Sequence, residues 1–286
     1  MILGIDHIAV STSCVHESAH ALRSEGVEII FVENNIPNGE PKRNFLSAYT
    51  PRHSIALCRP RDGIAVEFTQ HETSTGLPGS YRLFGNISSS LRDLVNQQAH
   101  NDEWDGVERT TDGYELPQRD CMNASISQSL TTESASRGIR VIGLQVPHLE
   151  QSIRFWSDAF RFRKVAMGVN RVGNQWARLA FRAIRPNWSI ELVLVENRSL
   201  VPPIPMLDDQ GATCLALLST DIRADLARAH ESPASAFELD VAGKRLTIAL
   251  LRGPSGEIIE LIQPPADTSP LRKAGSGTLI TAPTFA

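Results

Sequence analysis

At 286 residues, with 41% hydrophobic and 21% charged content, the chain has the composition of a soluble globular protein, long enough for one large domain or two ordinary ones. A formal net charge of −4 and the lack of any basic run give no electrostatic case for nucleic acid as a partner. No run of ~18 apolar residues offers a membrane span, and the opening residues lack the features of a signal peptide. Cys14, Cys58, Cys121 and Cys214 form no C-x-x-C pair, so a reduced, cytoplasmic chain with no membrane partner is expected.

Residues 4–11 alternate as a strand, with Ile5, His7, Ala9 and Ser11 on one face. A short helix follows from Ser13 to Ser24 and closes at Gly26, and Val27 to Val32 forms a second strand. Asn34 to Pro51 reads as a polar loop broken by Pro37, Pro41 and Pro51. Strands at 54–58 and 64–70 complete a strand-helix-strand-strand-strand unit. Residues 80–128 read as a weaker copy, with a strand at 81–87, a helix at 89–98, a poor strand or hairpin at 106–116 and another at 121–128. A Ser- and Thr-rich linker covers 127–137.

A third unit is clearer. It has a strand at 139–146, an amphipathic helix from Leu149 to about Phe160, and strands at 162–167, 176–183 and 189–196. The run Pro202-Pro203-Ile204-Pro205 is a stiff connector to a fourth unit. That unit has strands at 213–219, 236–241, 246–251 and 258–263 and a helix at 222–230, and it is followed by a polar tail.

Three of the closing strands share one device. Asp62 to Phe68 carries Glu67, Pro186 to Leu192 carries Glu191, and Pro254 to Ile262 carries Glu260, each carboxylate set between apolar neighbours. A half-buried strand has no structural need of such a group, so the recurrence points to an internal repeat. One such unit cannot cover both faces of its own sheet, so units are expected to pair around a concavity. His71 shares the face of Glu67 by the period of a strand and is a reserve ligand beside His53. His16-Glu17-Ser18-Ala19-His20 spells H-E-x-x-H, but too little chain precedes it for a protease sheet, and the first helix should cover the outer face.

This pattern resembles the vicinal oxygen chelate superfamily, which includes glyoxalase I, bleomycin-resistance proteins, methylmalonyl-CoA epimerase and extradiol dioxygenases. The likeness is carried by the three Glu-bearing strands and by two unit openings. One is Ile5-Asp6-His7-Ile8-Ala9-Val10, and the other runs from Gly143 to Trp156 with His148 where the family has Asp. It implies an α+β fold of repeated βαβββ modules, four in number with the second degenerate, pairing into two cup-shaped mixed sheets. On that basis residues 1–128 form an N-terminal domain of modules one and two. Residues 138–266 form a C-terminal domain of modules three and four, and 267–286 are a polar tail.

In this superfamily the metal is held by the first and last strands of each module. Carried over, module one offers His7 and Glu67, module two Arg82, module three Val141 and Glu191, and module four Cys214 and Glu260. Pairing neighbours in sequence leaves neither cup with a full ligand set. The resemblance implies a small-molecule enzyme of lyase, isomerase or dioxygenase type with Glu260, Glu191 and Glu67 as catalytic carboxylates. Arg82, Cys214 and Gln145 would contact substrate. His7, Glu67 and Glu260 would ligate one divalent ion (Fe, Mn, Ni or Zn) where a metal is used. The alternative is a non-catalytic binding or sequestration protein with degenerate metal sites. Either way the partner is a small organic molecule, and pairing of modules between two copies in a homodimer stays open.

Overall fold

The computed structural model describes residues 1–61, 63–75, 77, 79–86, 108–110, 113–115, 138–170, 173–182, 189–199, 204–232 and 235–265. The predicted helix at 89–98 and strand at 121–128, the linker and the polar tail lie outside these residues.

The first unit comprises β1 (Ile2–Ser11), α1 (Val15–Ser24), β2 (Glu28–Pro37), a 3-10 helix (Glu40–Phe45), β3 (Arg52–Arg59) and β4 (Ala65–Gln70). The segment read as a polar loop therefore holds a short helix, and β2 is longer than predicted. From the second unit come β5 (Tyr81–Asn86) and a small hairpin of β6 (Glu108–Thr110) and β7 (Gly113–Glu115). The third unit is β8 (Gly138–Val146), α2 (Leu149–Phe160), β9 (Arg163–Val169), β10 (Gln175–Arg182) and β11 (Ser189–Glu196). The fourth is β12 (Gly211–Ser219), α3 (Ile222–Arg228), β13 (Ala236–Val241), β14 (Lys244–Arg252) and β15 (Ile258–Gln263).

These strands form two mixed sheets and the small hairpin. The larger sheet has the order β13-β14-β15-β12-β1-β4-β3-β2, and the smaller β5-β8-β11-β10-β9. Within a unit the first and last strands run parallel, as in β1 with β4, β12 with β15 and β8 with β11. Between units one and four the join is antiparallel, β1 against β12, pairing His7 with Ala216 and Ala9 with Cys214. The expected grouping of neighbours, 1–128 and 138–266, is therefore not that of the sheets: the first unit shares a sheet with the fourth. Among the described residues the second unit contributes β5 to the smaller sheet, where it pairs with β8 of the third.

The same polar device fixes the helices of units one and four. Gln70, three residues after Glu67, accepts a hydrogen bond from Val15 N at 3.1 Å. Gln263, three residues after Glu260, accepts one from Ile222 N at 2.9 Å. Positions three apart on a strand face opposite ways, so one side chain enters the concavity while the other satisfies an orphan N–H at a helix start. In unit three Glu196 takes this part for Leu149 N at 3.4 Å.

Alternation sorts the apolar residues. Ile8, Val10, Val66, Phe68, Leu215, Leu217, Ile259 and Leu261 face the convex side, where they join α1, α2, α3 and the inner face of the smaller sheet in one core. Trp156, Phe160 and Phe162 form its aromatic centre, with ring centroids 5.2 to 5.6 Å apart. The sheets also meet at Gly63, whose positive φ of 91° and approach to Ile139 leave no room for a Cβ. On the concave side the larger sheet curls until its edges meet. Phe31, Ile36 and Ile55 pack with Leu239, Val241 and Ile248, and Ala242 N donates to Glu33 Oε2 at 2.6 Å.

Candidate functional site

The join of units one and four brings His7, Glu67, Cys214 and Glu260 into one cup. Each stands on a strand of the central four, and the antiparallel register relates His7 to Cys214 and Glu67 to Glu260 by a local two-fold. Pairing neighbours in sequence would have put two of these residues in each of two cups.

His7 is the centre of the group, 3% exposed. Its Nδ1 lies 3.0 Å from Asp6 Oδ2, which fixes the ring and turns Nε2 into the cup. There Nε2 lies 3.6 Å from Glu260 Oε2 and 3.8 Å from Glu67 Oε1, and it has no hydrogen-bond partner. Burial pulls the proton affinity of the imidazole down, but Glu67, Asp6 and Glu260 outweigh it and hold its pKa well above the ordinary range. Burial raises the Glu67 carboxyl, helped by the like charge of Glu260 and opposed by His7. Burial also drives the Cys214 thiol well up, with Glu260 and Glu67 adding to it, so this group is a neutral thiol and not a thiolate. It packs among Ala9, Leu46, Leu207, Leu250 and Ile258, which close that end of the cup with Phe45 and Tyr49.

A second polar group reaches the same concavity from the 3-10 helix. Lys42 is 7% exposed, and its Nζ lies 3.4 Å from His53 Nε2. His53 Nδ1 faces the carbonyl of Ile36 at 3.2 Å; since a carbonyl only accepts, the proton sits on Nδ1 and Nε2 is the acceptor for Lys42. The rings of His53 and His71 stack at 5.5 Å. Burial, then the Lys42 charge, keeps both neutral, with the His71 pKa lowered to about 4. Lys42 also draws on Glu67, so the two polar groups lie within electrostatic reach of one another. Lys42 was missed in the sequence because its loop has no strand or helix period to assign it a face.

Loops around the rim are tied across the join. Asp208 accepts from Ser47 N at 2.9 Å and Thr73 Oγ1 at 3.1 Å, and also from Ser47 Oγ; Gly79 N donates to Gln210 O at 2.7 Å.

The other sequence-picked residues lie on the smaller sheet. Arg82, Gln145 and Glu191 share the face turned away from α2, by the pairing of Arg82 with Gly143, Gln145 with Val195 and Glu191 with Val141. There Arg178 Nε donates to Glu191 Oε2 at 2.8 Å while Nη2 reaches the same oxygen. Glu191 and Glu260 thus do not face each other across one cup, as module pairing along the sequence would require. The helical His16 and His20 are exposed, on the far side of the sheet from the cup.

The donor types of His7, Glu67 and Glu260 suit a divalent ion with open positions, and the buried, unpartnered Nε2 is the atom such an ion would engage. Among the described residues no three His, Cys, Asp or Glu groups are drawn together tightly enough to hold an ion as they stand. No helix among them is long and apolar enough to cross a membrane.

No family model and no curated protein matches the sequence. Solved structures do match in shape. Glyoxalase I from Zea mays aligns over 91% of this chain and 92% of its own, at 15% identity and a TM-score of 0.51. A putative dioxygenase from Bacillus subtilis aligns over 98% and 92%, at 10% identity and a TM-score of 0.50. The chain has the fold of the vicinal oxygen chelate superfamily.

Proposed function

We propose that the cup between units one and four is the working site of a small-molecule enzyme of the vicinal oxygen chelate type, with His7, Glu67 and Glu260 at its centre. The observation that carries this reading is the buried, unpartnered Nε2 of His7 set between carboxylates from two units. A strand fold has no need to desolvate three ionisable groups together, and such clusters are a mark of functional sites.

The chemistry that suits the group is proton transfer next to a carbonyl. One carboxylate takes the proton from carbon, and the imidazolium of His7, fixed by Asp6, faces the oxygen on which charge develops. The apolar end of the cup, with Phe45, Leu46, Tyr49 and Leu207, holds the body of the substrate and keeps water out. Where a divalent ion is used, His7, Glu67 and Glu260 hold it, and it supplies Lewis-acid polarisation of substrate oxygen. Cys214 then contacts substrate as a small apolar surface. Arg82, Gln145 and Glu191 stand on the other sheet and take no part in this reading. The apolar lining also favours a second reading, a binding protein that encloses an organic molecule without converting it.

Metal analysis separates these. Protein equilibrated with Mn, Fe(II), Ni or Zn and then desalted should retain one ion per chain, and His7→Ala and Glu260→Ala should lose it. Metal-free protein in all three forms, with ligand retention unchanged by either substitution, would sink the metal-assisted version.

A further inference from the structure

The Lys42, His53 and His71 group has no part in the proton-transfer centre, and its hydrogen bonding is incomplete. A buried ammonium has three donors. Among the described residues Lys42 uses one, to His53 Nε2, at a long 3.4 Å. Among the described residues no ion pair joins it to Glu67 or Glu260, although its charge draws on Glu67. His71 Nδ1 is buried without a partner, on a ring stacked against the one that Lys42 touches. Leaving buried polar atoms unmatched is costly, so an ammonium with donors to spare, within electrostatic reach of a ring whose buried nitrogen has no partner, is a place for a bound molecule to complete.

We propose that Lys42 and His71 form an oxyanion subsite, which holds a carboxylate or a similar oxygen anion of the small molecule bound in the cup. This rests on the reading of the cup as a small-molecule site and narrows its ligand class. His53 positions Lys42: its Nδ1–H is held by the Ile36 carbonyl, so Nε2 takes one ammonium proton and aims the other two. The ligand's anion lies against the ammonium, and its neighbouring carbons lie within reach of Glu67, which Lys42 already influences. The ligand class is then an organic acid, or a molecule whose reacting carbonyl carries an adjacent acid group.

The probe is sodium malonate, titrated into protein with 15N-labelled histidine while the imidazole signals are followed by NMR, with the rings assigned through single His→Gln variants. Saturable shifts of the His53 and His71 signals are expected in the wild type. In Lys42→Met the affinity should fall by about tenfold or more, the loss expected for one charge-assisted hydrogen bond to an anion. His71→Gln keeps the ammonium and should weaken binding less. The proposal fails if malonate leaves the His53 and His71 rings unshifted in folded wild-type protein, or if Lys42→Met titrates like wild type. Should Lys42→Met not fold, the wild-type titration and His71→Gln decide, unchanged affinity in the latter removing His71 from the subsite. Metal addition reports separately on the His7 signal. An absent metal response with malonate binding intact would overturn the metal-assisted centre and leave the subsite standing.

Discussion

The two sheets carry the same strand device and put it to opposite ends. In the smaller sheet Glu191 is met by an arginine from the next strand, two guanidinium nitrogens converging on one carboxylate oxygen. In the larger sheet Glu67 and Glu260 are met by each other and by an imidazole more than 3.5 Å away, and no arginine among the described residues pairs with either. Sequence position is equivalent in all three cases, and what differs is the residue that crosses the sheet from the neighbouring strand. A carboxylate in an apolar strand is therefore a site only where its neighbours leave it unspent.

Removing the arginine tests one side of this contrast and should have the largest effect. Arg178→Met strands a mostly buried carboxylate, and a loss of about 3–5 kcal/mol is expected in urea denaturation. Pairing it with Glu191→Leu should restore most of that. A single-substitution loss below about 1 kcal/mol, as for an exposed pair, would mean that Glu191 is not held by Arg178 and is as available as Glu260.

The seam between the sheets offers an intermediate case. Glu257, at the entry to β15, is fully buried; it accepts from Ser255 N at 2.9 Å through one oxygen and has no partner for the other. Burial pushes its carboxyl up to about 7, against the pull of the Glu257 and Ser255 backbone groups. The folded pKa thus exceeds the ordinary 4.5. Below pH 4.5 both states hold the proton and the contribution to stability is complete. Between 4.5 and about 7 the unfolded chain releases its proton while the folded chain keeps it, and stability falls by about 3 kcal/mol. Above that the curve is flat. Glu257→Gln should lack this slope in its own profile, so the difference between the two pH profiles should change by about 3 kcal/mol between pH 4.5 and about 7; a difference that stays constant from pH 4 to 8 would show Glu257 to be ionised in the folded protein.

The smallest effect falls on the site itself. Because burial raises the Glu67 carboxyl, its ionised form opposes folding near neutral pH. Glu67→Gln should leave stability unchanged or raise it by up to about 1 kcal/mol, while abolishing metal retention. A clear loss of stability would place Glu67 with Glu191 among the spent carboxylates and break the contrast.

Most of the elements were legible in the sequence because their cause is local. The alternation of His7 and Ala9 against Ile8 and Val10, the helical spacing of Leu149, Ile153, Trp156 and Phe160, and the repeated Glu strands each fix a face without reference to the rest of the chain. What was not legible is non-local. Nothing in the composition of β1 chooses β12 over a strand of the second unit, since both would offer an apolar edge. The hint lay in an absence, the missing Glu-bearing strand before residue 128, which left the first unit without a matching neighbour. Lys42 was illegible for a different reason, as a lysine in a proline-broken loop has no period to say whether it meets solvent or a cup. Strand period set His7, Glu67, Cys214 and Glu260 toward a concavity, yet their meeting in one cup depended on the pairing.

That pairing has a consequence for how the molecule is made. Ile2 pairs with Ser219, across the whole of the second and third units. During synthesis β1 must wait, with one edge open, while the whole third unit emerges and can close its own local sheet. Contacts this distant in sequence are slow to form and leave partly folded chains prone to association. A chain that stops before β12 would carry a finished smaller sheet and half a cup, with His7 and Glu67 beside the open edge of β1. The site is complete only once β15 has emerged.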